Sequence, residues 1–231
     1  MPRTVSGNPH IMNIEQVRFN MVEQQIRTWD VLDTDVLDLL HTLKRETFVP
    51  PEQREFALMD IETPLAPVSA TAHMWSPKME ARVLQDVGLR GDEHVLEVGT
   101  GSGYLTALLA ARAKKVTSVE IDPALVKFAT GNLARAGVTN ASVFEGDASR
   151  GWKSAAPYDV IVFTGSMEVV PDEVFLQLKA TGKLFAIVGR LPIMNATRYT
   201  LTKGGGRVHQ TLFETVVSPL VNAAKLPAFV F

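Results

Sequence analysis

A chain of 231 residues, 46% hydrophobic and 21% charged, has the length and make-up for one sizeable buried core. Its formal net charge of −2 offers no electrostatic grip on nucleic acid or an anionic membrane. The absence of cysteine rules out disulfides and thiolate chemistry, the histidines (His10, His41, His73, His94, His209) lack metal-ligand spacing, and no apolar run is long enough to span a bilayer, so a metal-free cytoplasmic protein is expected.

Residues 1–12 are polar, contain Gly7 and Pro9, and read as an unstructured leader, with Met12 a second candidate start. From Ile14 the apolar residues Val17, Met21, Ile26 and Trp29 recur opposite Glu15, Gln24, Gln25 and Arg27, which predicts a helix. A second helix is expected over Asp33 to Leu43 with Asp33 as its N-cap; Phe48-Val49-Pro50-Pro51 ends it, and Pro51 opens a short helix through Met59. Asp60 to Ser76, with Pro64, Pro67 and many small residues, reads as a loop of functional length. Ser76-Pro77 then reads as N-cap and first residue of a helix to Val87.

The centre of the chain is Val95 to Tyr104, VLEVGTGSGY, a strand breaking into a turn with glycines at alternate positions. Gly99, Gly101 and Gly103 permit positive φ and close approach of a ligand, and the helix expected over Tyr104 to Ala113 would aim its free amides at the same spot. A dinucleotide fingerprint has GxGxxG spacing, whereas here it is GxGxG preceded by Glu97. A carboxylate there repels a pyrophosphate but suits a ligand with an ammonium group. A strand from Lys115 to Ile121 ends in Glu120, where an acid accepts the hydroxyls of an unphosphorylated ribose, and Asp147 follows a strand over Ala141 to Phe144. Helix (Pro123 to Ala136), strand (Tyr158 to Thr164), helix (Pro171 to Leu178) and strand (Leu184 to Val188) alternate, which implies a parallel sheet covered on both faces. Arg198 to Thr202 and Val208 to Val217 flank Lys203-Gly204-Gly205-Gly206-Arg207 and read as a hairpin.

The glycine turn with its three strand-end acids resembles the S-adenosyl-L-methionine site of class I methyltransferases. The resemblance implies an α/β fold with a seven-stranded, mostly parallel sheet, a C-terminal antiparallel hairpin and an added N-terminal helical lobe. One domain is expected over 13–231, with lobe and substrate loop in 13–90 and a Rossmann-like core in 91–231. The cofactor residues implied are Glu97, Gly99, Thr100, Gly101, Ser102, Gly103, Glu120, Ile121, Asp147 and Ala148. An NAD-dependent dehydrogenase is disfavoured by Glu97 and the glycine spacing.

Met21-Val22-Glu23-Gln24-Gln25-Ile26-Arg27, Phe48-Val49-Pro50, the glycine turn, Ala156-Pro157-Tyr158-Asp159, Gln177-Leu178-Lys179 and Gly182-Lys183-Leu184 extend the likeness. From about Asn13 to Gly189 the sequence resembles the protein-L-isoaspartate O-methyltransferases. This implies repair of isomerised aspartyl residues of proteins and peptides by methylation of their α-carboxyl group; a monomer is expected, and the charge and hydropathy above leave no nucleic-acid or membrane partner expected.

One departure stands out. The family's Thr-Ile-Ser stretch, whose serine is regarded as active, falls on His73-Met74-Trp75 when counted back from the turn without a gap, so Trp75 occupies the serine position. The catalytic candidates are therefore Ser76, either an active hydroxyl or a helix cap, Trp75, either a stacking surface or a loop anchor, and His73, either a carboxylate partner or solvated. Ser69 and Thr71 join them if the loop carries an insertion. Met74, Trp75, Thr164, Gly165 and Ser166 are expected on the acceptor side. The tail PLVNAAKLPAFVF is unlike better-known members and points to a divergent branch. Two rivals keep the cofactor: a methyltransferase with another acceptor, and a non-catalytic binding protein acting through its helical lobe.

Overall fold

The computed structural model describes residues 13–226; the leader expected over 1–12 and the tail end 227–231 lie outside them. Helix α1 (Ile14–Asn20) is capped by Asn13, whose side chain accepts the Glu15 amide. It widens into a π turn, Met21–Ile26, and tightens into a 3-10 turn, Arg27–Trp29, before Asp30 stops it in the left-handed region at φ 65°. Met21, Val22 and Ile26 are the buried residues of the π turn, so the MVEQQI stretch serves as an apolar anchor. Asp33 caps α2 (Thr34–Thr42) by accepting the Asp35 and Val36 amides, and Pro51–Phe56 forms a 3-10 turn.

The expected loop contains a small hairpin, β1 (Thr63–Pro64) antiparallel to β2 (His73–Met74). It leads into α3 (Pro77–Val87), which ends at Gly88 with φ 58°. The Ser76 hydroxyl makes no cap bond, contrary to expectation; the Ser76 carbonyl accepts the Met79 and Glu80 amides instead.

The core runs β3 (His94–Val98), α4 (Tyr104–Arg112), β4 (Lys115–Glu120), α5 (Pro123–Arg135), β5 (Ala141–Glu145), β6 (Tyr158–Met167), α6 (Asp172–Phe175), β7 (Leu178–Arg190), β8 (Ile193–Leu201) and β9 (Arg207–Thr215). The sheet order is β5-β4-β3-β6-β7-β8-β9. The first five strands are parallel, and β8 and β9 form the antiparallel hairpin. The helix expected over Pro171 to Leu178 is only four residues long, because Leu178 already pairs with Tyr158 in the sheet. Asp159 fastens the base of this sheet by accepting the His94 amide at 2.8 Å and the Lys179 ammonium at 2.7 Å.

One apolar cluster joins lobe to core, from Met21 and Ile26 through Tyr104 and Leu108 to Val160 and Ile187. Phe48 sits edge-on to Tyr104, the first residue of α4, with ring centroids 5.2 Å apart. Burying such a ring is worth about 1.5–3 kcal/mol. Beside it, the Asn132 side-chain amide donates to the carbonyls of Phe48 at 3.2 Å and Ser102 at 2.8 Å. The Phe-Val-Pro motif thus docks the lobe on the helix that opens the glycine turn. Among the described residues no helix is long and apolar enough to cross a membrane.

Candidate active site

A cavity of about 320 Å³ lies at the C-terminal ends of β3, β4, β5 and β6, the edge where open α/β sheets take ligands. The glycine turn forms its floor and the β1–β2 segment one wall.

Gly99, Gly101 and Gly103 have φ of 94°, 55° and 83°, a region that only glycine enters freely. A Cβ on Gly99 would strike the Thr164 hydroxyl, which donates to the carbonyls of Val98 at 2.9 Å and Gly99 at 2.7 Å. The Gly101 amide donates to Glu120 at 2.9 Å. Gly103 lies off the cavity wall, a correction to its expected place: it caps α4, and a Cβ there would press on Ala129 at 3.2 Å. Thr100 and Ser102 lie on the wall.

Glu97 is fully buried on that wall. Its Oε2 accepts the hydroxyls of Thr106 and Ser118, while Oε1 is buried with no hydrogen-bond partner among the described residues. Burial lifts the carboxyl to about 7, with the charge of Glu120 adding and the two hydroxyls opposing. A buried carboxylate oxygen left unpaired costs free energy, and a cation placed against it recovers that cost. This unpartnered acceptor fits an ammonium group.

The Glu120 carboxylate is held between the Gly101 amide on Oε2 and the amides of Ile121 (2.9 Å) and Asp122 (3.1 Å) on Oε1. A carboxylate oxygen has two lone pairs, so acceptor capacity remains for hydroxyls. Ile121 is exposed beside it, and Ala148 is buried next to Asp147 on the wall. Asp147 accepts the Ser149 amide on Oδ1 and the Asn222 side-chain amide on Oδ2, each at 2.8 Å. Partial burial pushes its carboxyl up, yet these donors and nearby Arg150 leave it below the usual range.

On the other side His73, Met74 and Trp75 all reach the cavity, as do Ser69 and Thr71. The exposed His73 places its Nδ1 3.1 Å from the Thr71 carbonyl. The Ser102 hydroxyl donates to the Met74 sulfur at 3.1 Å, tying β2 to the glycine turn. Trp75 is 8% exposed, and its carbonyl accepts from the buried Arg45 guanidinium. Arg45 also pairs with the buried Glu80, donates to the Ala57 carbonyl at 2.7 Å and lies 5.3 Å above the Tyr104 ring. Ser76, offered as a catalytic hydroxyl, is off the cavity wall, at the N-cap position of α3.

Thr164 and Gly165 line the cavity, but Ser166 does not: it is buried and its hydroxyl donates to the Val217 carbonyl at 3.0 Å. That bond exposes what sequence reasoning missed. The tail after β9 returns to the site, with Ser218 to Val221 on the wall. The Ser166 amide donates to the Ser218 carbonyl, and the Leu220 amide donates back to Ser166, both at 3.0 Å. Leu220 packs so closely over Gly165 that a Cβ there would lie 2.8 Å from it. A glycine near the C-terminal end of β6, the sign of close backbone approach, was the available signal. Nothing in the sequence announced Arg45 and Glu80, which meet across 35 residues.

A sequence model described as "Protein-L-isoaspartate(D-aspartate) O-methyltransferase (PCMT)" matches residues 16–225. The chain belongs to this family. A protein-L-isoaspartate O-methyltransferase of Methanoculleus marisnigri is 39% identical over 83% of this chain and 84% of its own length. One from Rhodopseudomonas palustris is 38% identical over 73% and 76%. Among solved structures, a protein-L-isoaspartate O-methyltransferase superposes with a TM-score of 0.75 at 24% identity, over 90% of this chain and 65% of that longer one. A putative family member from Plasmodium falciparum, solved in complex with S-adenosyl-L-homocysteine, gives 0.72 at 20% identity over 93% and 99%. These two structures share the fold of this family member.

Proposed function

We propose that the protein is an S-adenosyl-L-methionine-dependent carboxyl O-methyltransferase that acts on isoaspartyl residues of proteins and peptides, the first step of their repair. The observation that carries the reading is Glu97: a buried carboxylate with one unpartnered oxygen, on the wall of the cavity at the glycine turn. In this reading Glu97 takes the amino-acid ammonium group and the backbone at Gly99 and Gly101 permits close approach. Glu120 accepts the ribose hydroxyls. The one remaining strong donor of the cofactor is the exocyclic amino group of its adenine, and Asp147 is the acid left to receive it. Thr100, Ser102, Ile121 and Ala148 complete the wall.

When bound, the cofactor supplies a methyl group on a positively charged sulfur. The tasks left to the protein are to align the acceptor and exclude water. An acceptor carboxylate is ionised at pH 7, so no general base is required. Loss of the family serine is therefore tolerable, since a hydroxyl aimed at a carboxylate contributes orientation and about 1.5–3 kcal/mol of hydrogen bonding. Ser69 and Thr71, on the acceptor-loop side of the same wall, are the hydroxyls we assign to the acceptor, with Trp75 on the wall beside them. We read the protein as a monomer working in the cytoplasm, with residues 13–226 acting as one unit.

The test is transfer of labelled methyl from S-adenosyl-L-methionine to a peptide with one isoaspartyl residue, beside the same peptide with ordinary aspartate. Base-labile label on the isoaspartyl peptide alone is expected. Label on neither peptide refutes the acceptor assignment and favours the second reading, a different carboxylate acceptor, for which Trp75 at the serine position is the specific motive.

A further inference from the structure

The return of the tail places a second residue against a cofactor acid. Asp147 and Asn222 are 75 residues apart in sequence, yet the Asn222 amide donates to Asp147 Oδ2 at 2.8 Å. The other oxygen is taken by the Ser149 amide, so the two donors together fix the plane of a carboxylate that is itself exposed on the cavity wall. Without Asn222 that carboxylate keeps only its Ser149 contacts, and Oδ2 loses its side-chain donor.

Asn222 arrives on a braced segment. Ser166 exchanges backbone hydrogen bonds with Ser218 and Leu220, the Ala223 amide donates to Leu220, the Glu168 amide to Ala224, and the Leu226 amide to the Glu168 carboxylate. Asn222 itself has φ 60°, a conformation that asparagine, aspartate and glycine accept more readily than other residues. Of those three, asparagine alone offers an N–H donor to a carboxylate.

We propose that Asn222 is a positioning residue of the cofactor site, holding the Asp147 carboxylate in the orientation that receives the exocyclic amino group of adenine. The proposal rests on the cofactor reading given above and extends it to the tail. Leu220, two residues before Asn222, is packed over Gly165 on the same returning tail.

The test uses the full chain and the variants Asn222→Gly and Asn222→Asp, both compatible with the left-handed backbone. Binding is measured by calorimetry for S-adenosyl-L-homocysteine and for its inosine counterpart, in which a carbonyl oxygen replaces the amino group. For Asn222→Gly, affinity for the adenosine ligand is expected to fall about three- to tenfold, the worth of one hydrogen bond, while the inosine ligand changes by less than about twofold. Asn222→Asp, which sets one carboxylate against another, is expected to lose at least as much. An unchanged affinity of Asn222→Gly for S-adenosyl-L-homocysteine overturns the proposal, as does an equal loss for both ligands, which would make the residue a mere wall. Failure of the unaltered protein to bind either ligand refutes the cofactor reading itself, and is thereby told apart from a failure of this inference alone.

Discussion

Ser118 donates its hydroxyl to Glu97 at 2.6 Å from the register position directly opposite on the neighbouring parallel strand. The pairing of β3 with β4 therefore fixes the acid that faces the cofactor cavity, and Thr106 on α4 supplies a second donor to the same oxygen. With Oε1 unpartnered and burial complete, the carboxyl titrates at about 7 rather than near 4.5.

This shift has a signed effect on stability. Between pH 4.5 and 7 the folded chain keeps a proton on Glu97 that the unfolded chain has released, so stability falls as pH rises through that window, by about 3 kcal/mol at most. The ligand-free protein is expected to show this decline in urea midpoints between pH 5 and 8, and Glu97→Gln to flatten it. Cofactor affinity runs the other way: a cationic ligand requires the ionised form, so binding weakens about tenfold per unit below pH 7. A pH-independent dissociation constant for the cofactor between pH 5.5 and 8 would contradict the role given to Glu97.

Arg45 and Glu80 form a buried ion pair under the acceptor loop. Removing one charge strands the other, at about 3–5 kcal/mol, whereas an apolar pair of similar volume is far better tolerated. Glu80→Ala is expected to cost that amount in chemical denaturation, and the double change Arg45→Met with Glu80→Leu to cost less. Recovery will be incomplete, because the carbonyls of Ala57 and Trp75 lose their donor. Additive losses in the double variant would show that the two side chains are not coupled.

Gly146 sits on the cavity wall between β5 and Asp147, and a Cβ there would lie 2.8 Å from the Trp152 ring. Gly146→Ala must displace that ring, an overpacking change of about 1–3 kcal/mol. Cofactor binding should weaken about tenfold, which corresponds to about 1.4 kcal/mol, with a change in tryptophan emission. Normal affinity with unchanged emission would mean that the wall yields freely here.

The acceptor hydroxyls separate cleanly. Ser76 is off the cavity wall, so Ser76→Ala should leave kcat and the peptide KM within about twofold of the parent. Thr71→Val and Ser69→Ala alter the wall, and at least one should raise the peptide KM about two- to tenfold with cofactor affinity unchanged. A large kcat loss in Ser76→Ala would restore the serine to the reaction.

Local chemistry was legible in the sequence. The glycine turn, the strand-end acids Glu97, Glu120 and Asp147, and the Asp33 cap depend on a few adjacent residues, and the structure brings the three acids to one cavity. Contacts that close over long separations were not legible. Thr164 under Gly99, Arg45 beneath Trp75, and Leu220 over Gly165 depend on where the sheet delivers residues tens of positions apart. Ser166 and Gly103 were misplaced for a related reason: a small residue beside a site can face the tail or a neighbouring helix as readily as the ligand. The four-residue α6 was overextended because apolar spacing at Val174, Phe175 and Leu178 suits a helix, while pairing with Tyr158 claimed the last of them for the sheet.

Trp75 is gripped by its carbonyl oxygen, a group that every residue presents alike. That bond is blind to the side chain, but the indole has a hold of its own: it is buried in the apolar cluster that joins lobe to core, so Trp75 anchors the foot of the acceptor loop through backbone and side chain together. A change of residue at this point therefore bears on the acceptor wall and on the packing beneath it at once, while Glu97, Glu120 and Asp147 stand at the ends of other strands.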